Sequence, residues 1–132
     1  MKPMIPKEIC LHQKSRVLEL TYSNDSIYRL SCEYLRVYSP SAEVRGHSPD
    51  QAELQVEKKN VHIASIEPQG NYAIKLAFDD GHDSGIYSWD YLHELALNQD
   101  RYWQDYLTRL EAAGGHRESN IIASTSVRQW QP

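Results

Sequence analysis

The chain has 132 residues, 14 basic against 18 acidic side chains, a formal charge of -4 and a hydrophobic fraction of 40%, the size and balance of one ordinary globular domain. That acidic balance is the wrong sign for a protein living on nucleic-acid phosphates, and no apolar run approaches the roughly 18 residues that cross a bilayer. The opening Met1-Lys2-Pro3-Met4-Ile5-Pro6 lacks the apolar stretch of a secretory signal, and two cysteines, Cys10 and Cys32, cannot build a disulfide scaffold, so a reducing, cytoplasmic setting is expected.

Residues 1–10 alternate poorly, hold two prolines and are predicted to form a flexible arm. Val17, Leu18, Leu20, Thr21 and Tyr22, then Ser23-Asn24-Asp25-Ser26, then Ile27-Tyr28-Arg29-Leu30, predict a hairpin across a turn of Asn, Asp and Ser. Ser31 is placed to cap a short helix over residues 32–38, with Glu33 in the first turn where the helix dipole favours a carboxylate. Pro40 stops that helix. Ser39 to Gln51 is rich in Ser, Pro, Gly and Asp without periodicity and predicts a long surface loop, a length that in compact domains often carries function.

Val61 to Ile66 predicts a strand, Pro68 to Asn71 a turn, and Tyr72 to Phe78 the clearest strand of the chain, with Tyr72, Ile74, Leu76 and Phe78 on one face. Asp79-Asp80-Gly81-His82 predicts a tight turn into a short strand over Ser84–Tyr87. Ser88 caps the next helix, whose apolar face is Leu92, Leu95 and Ala96 and which Asn98 ends in a left-handed conformation. Asp100 is expected to cap a further helix with Trp103, Tyr106, Leu107 and Leu110 on its buried face, ended by Gly114-Gly115. Residues 114–132 are expected to be a disordered tail. Strands first and helices last predict an α+β fold of two layers, an antiparallel sheet with the C-terminal helices packed on one face.

The chemistry-bearing residues form no catalytic constellation. The six histidines show no H-x-x-x-H spacing, no G-x-S-x-G elbow surrounds any serine, and the glycines are too scattered to cradle phosphate. Asp79-Asp80-Gly81-His82-Asp83 groups carboxylates with an imidazole, but the same letters spell a polar turn. A hydrolase pairing His82 with Ser84 is the weakest reading. Arg36, Arg45 and His47 stand along the serine-rich loop and, beside Asp80, His82 and Asp83, make up a candidate interaction surface, to which Tyr72, Tyr87 and Trp89 could add aromatic anchors. Of these, Tyr72 and Trp89 are expected rather to be half-buried core.

Two stretches together carry a family resemblance. Leu35-Arg36-Val37-Tyr38-Ser39-Pro40-Ser41-Ala42-Glu43-Val44-Arg45-Gly46-His47, and Gly70 to Ile74 followed by Phe78-Asp79-Asp80-Gly81-His82-Asp83-Ser84-Gly85-Ile86-Tyr87-Ser88-Trp89, resemble the gamma-butyrobetaine hydroxylase-like N-terminal domain family, in its small bacterial stand-alone form. The likeness covers about residues 11–112 and places the domain at 11–113. In carnitine-pathway hydroxylases this domain precedes an iron and 2-oxoglutarate barrel and holds zinc through three cysteines of an L-R-x-x-C-P-C-x-x-C motif and the histidine of a D-G-H turn. Carried over by position, the cysteine sites fall on Ser39, Ser41 and Val44 and the histidine site on His82.

The resemblance therefore implies a degenerate zinc site, since a closed structural site relies on deprotonated sulfur, and no cofactor is expected. With no barrel and no H-x-D…H iron triad, hydroxylase activity is not expected either. The family's occurrence beside Mrp-like P-loop ATPases carrying iron–sulfur clusters implies a protein partner of that kind and a role accessory to iron or iron–sulfur assembly. The alternative expectation is iron binding by His82 with Asp79, Asp80, Asp83 or His47, since oxygen and nitrogen donors suit iron. In the metal-free reading, by contrast, the Ser39 and Ser41 hydroxyls are expected to bond backbone groups of the bend, Val44 to fill the space of a sulfur and His82 to bond the loop.

Overall fold

The computed structural model describes residues 4–45 and 54–118. Strands β1 (Glu8–His12), β2 (Val17–Thr21) and β3 (Ile27–Ser31) pair antiparallel in that order, with Leu18 opposite Leu30 and Leu20 opposite Tyr28. Their alternation sends Leu18, Leu20 and Leu30 inward, each fully buried. The hairpin turn is held by the Tyr22 N–H donating to the Ser26 carbonyl at 2.9 Å, with Asp25 in the left-handed region at φ +66°. The arm expected over residues 1–10 is corrected in its last part. Residues 8–10 belong to β1, because Ile9 and Leu11 face the core across from Leu20 and Leu18.

Helix α1 (Cys32–Val37) begins as the sequence predicts, with the Ser31 hydroxyl accepting the Tyr34 N–H at 3.0 Å. It is buried along its whole length. One turn of helix, α2 (Ala42–Arg45), follows Pro40 inside the stretch expected to be loop. The remainder of that loop, residues 46–51, lies outside the described residues.

Strands β4 (Ile63–Gln69), β5 (Ala73–Phe78) and β6 (Gly85–Ser88) form a second antiparallel sheet in that order. The single sheet expected from the sequence is thus, among the described residues, two sheets of three strands, separated in the chain by α1 and α2. β4 runs through Pro68, which an edge strand tolerates because its N–H side needs no partner. Tyr72 stands outside β5 and is 60% exposed, so it is not core.

Helix α3 (Trp89–Leu97) is capped by the Ser88 hydroxyl, which accepts the Tyr91 N–H at 3.1 Å, and buries Leu92, Leu95 and Ala96. Helix α4 (Gln99–Ala112) follows at once. Asn98 sits between them at φ -114°, not left-handed, and its position rather than that of Asp100 is the start of α4. Its side-chain amide donates to the Glu94 carbonyl at 2.8 Å, ending α3 instead of capping α4. Tyr106 and Leu110 are the fully covered part of the predicted α4 face.

One core joins the layers: Leu18, Leu20 and Leu30 of the first sheet meet Ile63, Ile74, Leu76, Phe78 and Tyr87 of the second, with Leu35, Leu92 and Leu95 from the helices. Burial of a side chain of this size contributes about 1.5–3 kcal/mol. The architecture is α+β. The chain after α4 also departs from expectation. The Glu57 and Lys59 N–H groups donate to the His116 and Arg117 carbonyls at 2.7 and 3.0 Å, and Arg117 forks onto Glu33 at 2.8 and 2.9 Å. Residues 116–118 therefore pack on the domain, while 119–132 lie outside the described residues.

Candidate functional site

The turn between β5 and β6 sets one half of the site. Gly81 adopts φ +92°, a conformation that other residues rarely enter, and its N–H donates to the Phe78 carbonyl at 3.2 Å. Asp80 Oδ1 accepts the His82 N–H at 3.1 Å, and the His82 carbonyl accepts the Phe78 N–H at 2.8 Å. These bonds turn the His82 side chain inward, where it is 5% exposed and lies 6.1 Å ring to ring from Phe78.

The other half is the segment after α1. Pro40 ends the helix and leaves Ser39 and Ser41 buried. Ser39 Oγ lies 2.8 Å from His82 Nε2 and also accepts the Ser41 N–H at 3.2 Å. Ser41 Oγ and Ser84 Oγ are 2.7 Å apart. The Ser41 carbonyl accepts the Val44 and Arg45 N–H groups at 3.0 and 2.9 Å, which winds α2 and buries Val44. The two halves touch closely because of Gly85. A β-carbon there would lie 2.6 Å from Ser39 Oγ and 3.1 Å from the Tyr87 ring.

A charge network braces the turn from outside. Arg36 Nε donates to Asp80 Oδ2 at 2.9 Å and Lys58 Nζ to the same oxygen at 2.6 Å. Burial pushes the Asp80 carboxyl up, but the Lys58 ammonium, the His82 N–H and the Arg36 guanidinium outweigh it and hold the group at about 2. Tyr87, fully buried, donates to the Leu35 carbonyl at 2.6 Å, and burial pushes its hydroxyl far above the ordinary range.

The expected residues thus divide. The family positions Ser39, Ser41 and His82 come together with Ser84, and Val44 is buried on the adjoining turn. The expected interaction surface is corrected: Arg36 and His82 are interior, at 7% and 5% exposure, because one holds Asp80 and the other Ser39. Arg45 and Asp83 reach solvent, the Asp80 side chain is 21% exposed, and His47 lies outside the described residues. Tyr87 is core and Trp89 half-buried, its Nε1 donating to the Asn71 carbonyl at 2.9 Å. Ser84 bonds Ser41, and the ring of His82 meets Ser39, so the hydrolase pairing of His82 with Ser84 is not the contact formed.

Two of the donors named for iron, Asp79 and Asp80, are engaged elsewhere. Asp79 accepts the His62 N–H at 3.0 Å and meets the His62 ring at 3.3 Å, while Asp80 is held by Arg36 and Lys58. Among the described residues no group of three or more His, Cys, Asp or Glu side chains is arranged to hold a metal ion. Sequence reasoning missed Lys58 and Gly85. A glycine at a strand start was the available signal for the second, and nothing local marks the first.

Comparison with known proteins decides the family. The description "Gamma-butyrobetaine hydroxylase-like, N-terminal" matches residues 9–93. The chain belongs to this family. Two proteins solved in solution by NMR are similar to it, one 47% identical over 99% of this chain and 100% of its own with a TM-score of 0.79. The other is 51% identical over 89% and 90%, with a TM-score of 0.74. A crystal structure of a protein of unknown function from Acidithiobacillus ferrooxidans, of the DUF971 family, is 34% identical over 69% of this chain and 91% of its own, with a TM-score of 0.54. No curated protein matches. No helix among the described residues is long and apolar enough to cross a membrane.

The zinc implied by the gamma-butyrobetaine hydroxylase-like family does not fit the residues present. Two hydroxyls, an isopropyl group and one imidazole supply no thiolate. Tetrahedral ligands at bonds of about 2.0 Å stand roughly 3.3 Å apart, whereas Ser39 Oγ and His82 Nε2 are at 2.8 Å, bonded to each other.

Proposed function

We propose that this member of the gamma-butyrobetaine hydroxylase-like family is a non-catalytic docking module whose metal centre has been rebuilt as a hydrogen-bonded lock. The observation that carries the proposal is the buried Ser39–His82 bond, made at the two positions where the family would place a sulfur and a nitrogen ligand. A cross-link between the segment after α1 and the β5–β6 turn is what a structural metal supplies, and here side chains supply it. Ser39 is 1% exposed and its hydroxyl is taken up by His82 and the Ser41 N–H, which supports a structural role for the pair.

The partner proposed is a protein, of the iron–sulfur-carrying P-loop ATPase kind that accompanies the family, in the cytoplasm. Support for that partner is the family's domain company alone. Purification of the untagged full chain from its own cells, with bound proteins and metals quantified, tests the proposal. A stoichiometric ATPase or iron–sulfur protein with little metal on the chain itself is expected. Stoichiometric iron on the isolated chain favours iron handling through His82 and overturns the lock.

A further inference from the structure

Outside the lock, a cavity of about 290 Å³ lies where the end of α1, α2, α3 and α4 converge. Its walls are the rings of Tyr38, Tyr91 and Tyr102, and it also carries Arg45, Arg109 and Glu94, all three exposed. Each tyrosine hydroxyl is already committed. Tyr38 donates to the Tyr102 carbonyl at 2.7 Å, Tyr91 to the Tyr38 carbonyl at 2.5 Å and Tyr102 to Glu94 Oε2 at 2.6 Å. The Tyr38 and Tyr102 rings stack at 5.4 Å. Rings fixed in this way lose little freedom when something packs on them, and with their hydroxyls engaged they offer mainly apolar surface.

The charges are placed unequally. Glu94 accepts the Tyr102 hydroxyl on one oxygen and keeps its charge, and the guanidinium groups retain N–H donors. Arg45 lies 4.7 Å from the centre of the Tyr91 ring, and Arg109 donates from Nη2 to the Tyr38 hydroxyl at 3.2 Å and from Nε to Asp105 at 3.2 Å. A guanidinium carries five N–H groups in a fork that matches a carboxylate. On a chain of net charge -4, the two arginines stand against the carboxylates of Glu94 and Asp105, so the cleft is locally less acidic than the chain as a whole. Tyrosine and arginine are also the residue types that dominate binding energy at protein interfaces. The volume is at the low end for small-molecule pockets, about 300–1,000 Å³, and suits one or two side chains of a partner.

We propose that this cleft captures an acidic, aliphatic peptide segment of a partner protein. One carboxylate sits on Arg45 and Arg109, and a neighbouring aliphatic side chain lies against the Tyr91 and Tyr102 rings and Val44. The proposal rests on the docking-module reading and gives it a surface, on the face that also includes Ser39 of the lock.

An NMR titration of the full chain with a blocked hexapeptide alternating Leu with Asp or Glu tests it, beside the same peptide carrying Asn and Gln. Saturable shifts confined to residues 37–45, 91–94 and 102–109 are expected with the acidic peptide, together with at least a tenfold loss of affinity in Arg45→Gln and Arg109→Gln at unchanged melting temperature. Absence of shifts, equal response to the amide peptide, equal response to acetate or inorganic phosphate, or full binding by both arginine variants overturns it. A negative titration beside a positive co-purification removes only this cleft. Loss of the partner in co-purification removes the module itself.

Discussion

Ser39 and His82 stand 43 positions apart in the chain, yet their side chains meet at 2.8 Å in a buried setting. A hydrogen bond there contributes about 1 kcal/mol net, and removing one partner leaves the other buried without it, at about 1–3 kcal/mol. Ser39→Ala and His82→Ala are each expected to lower stability by about 1–2 kcal/mol and to speed amide exchange in residues 39–45, with no change in metal content. Unchanged exchange in that segment would show that the contact does not hold it. The residues of this bond could be found from the sequence because the L-R motif and the D-G-H turn are short local patterns. For Gly85 the sequence offered only a glycine at a strand start, because its role, to let Ser39 approach, exists only in three dimensions.

Asp80 adds a pH dependence whose sign follows from its lowered pKa. The carboxyl is held at about 2 in the fold against 3.8 for the free group. A depressed carboxylate contributes stability that is complete above the unfolded value and is lost as pH falls through the folded one. The difference in unfolding free energy between the wild type and Asp80→Asn is therefore expected to be constant above about pH 4 and to shrink toward pH 2. Chemical denaturation of both proteins across that range measures it. A difference that grows on acidification contradicts the role given to Arg36 and Lys58.

At the scale of elements, the Ser31 and Ser88 caps were readable, whereas the helix ends assigned to Asn98 and Asp100 and the distant packing were not. Ser31 and Ser88 cap α1 and α3 through their hydroxyls as local sequence dictates. Ser88→Ala is expected to cost about 1 kcal/mol, read by thermal or urea unfolding. The strand β1, by contrast, has an unremarkable sequence and exists because β2 presents an edge and a row of leucines to it. Residues 116–118 are held for a similarly non-local reason, with Arg117 clasping the buried Glu33 while its guanidinium lies 5.3 Å from the Trp103 ring. Arg117→Ala strands a carboxylate that is 6% exposed and is expected to cost about 2 kcal/mol, less than a fully buried pair because the arginine itself is partly in water. Glu33→Gln in the same chain is expected to restore part of that loss. An additive double variant would mean that the two side chains do not interact.

For the whole molecule, the α+β class followed from the order of strands and helices, while the split into two sheets did not. Antiparallel hairpins are specified locally by turns, but which hairpin edge meets which is chosen by the core that Leu18, Leu30, Ile63 and Leu76 build together. The family motifs led to the site, and the three non-thiol positions led to the proposal that the fold is held without an ion. Metal content and thermal stability of the untagged chain, measured before and after a strong chelator, test that claim most directly. The account predicts well under one metal ion per chain and a melting temperature that the chelator leaves in place. One zinc or iron ion per chain, whose removal lowers the melting temperature, would contradict it.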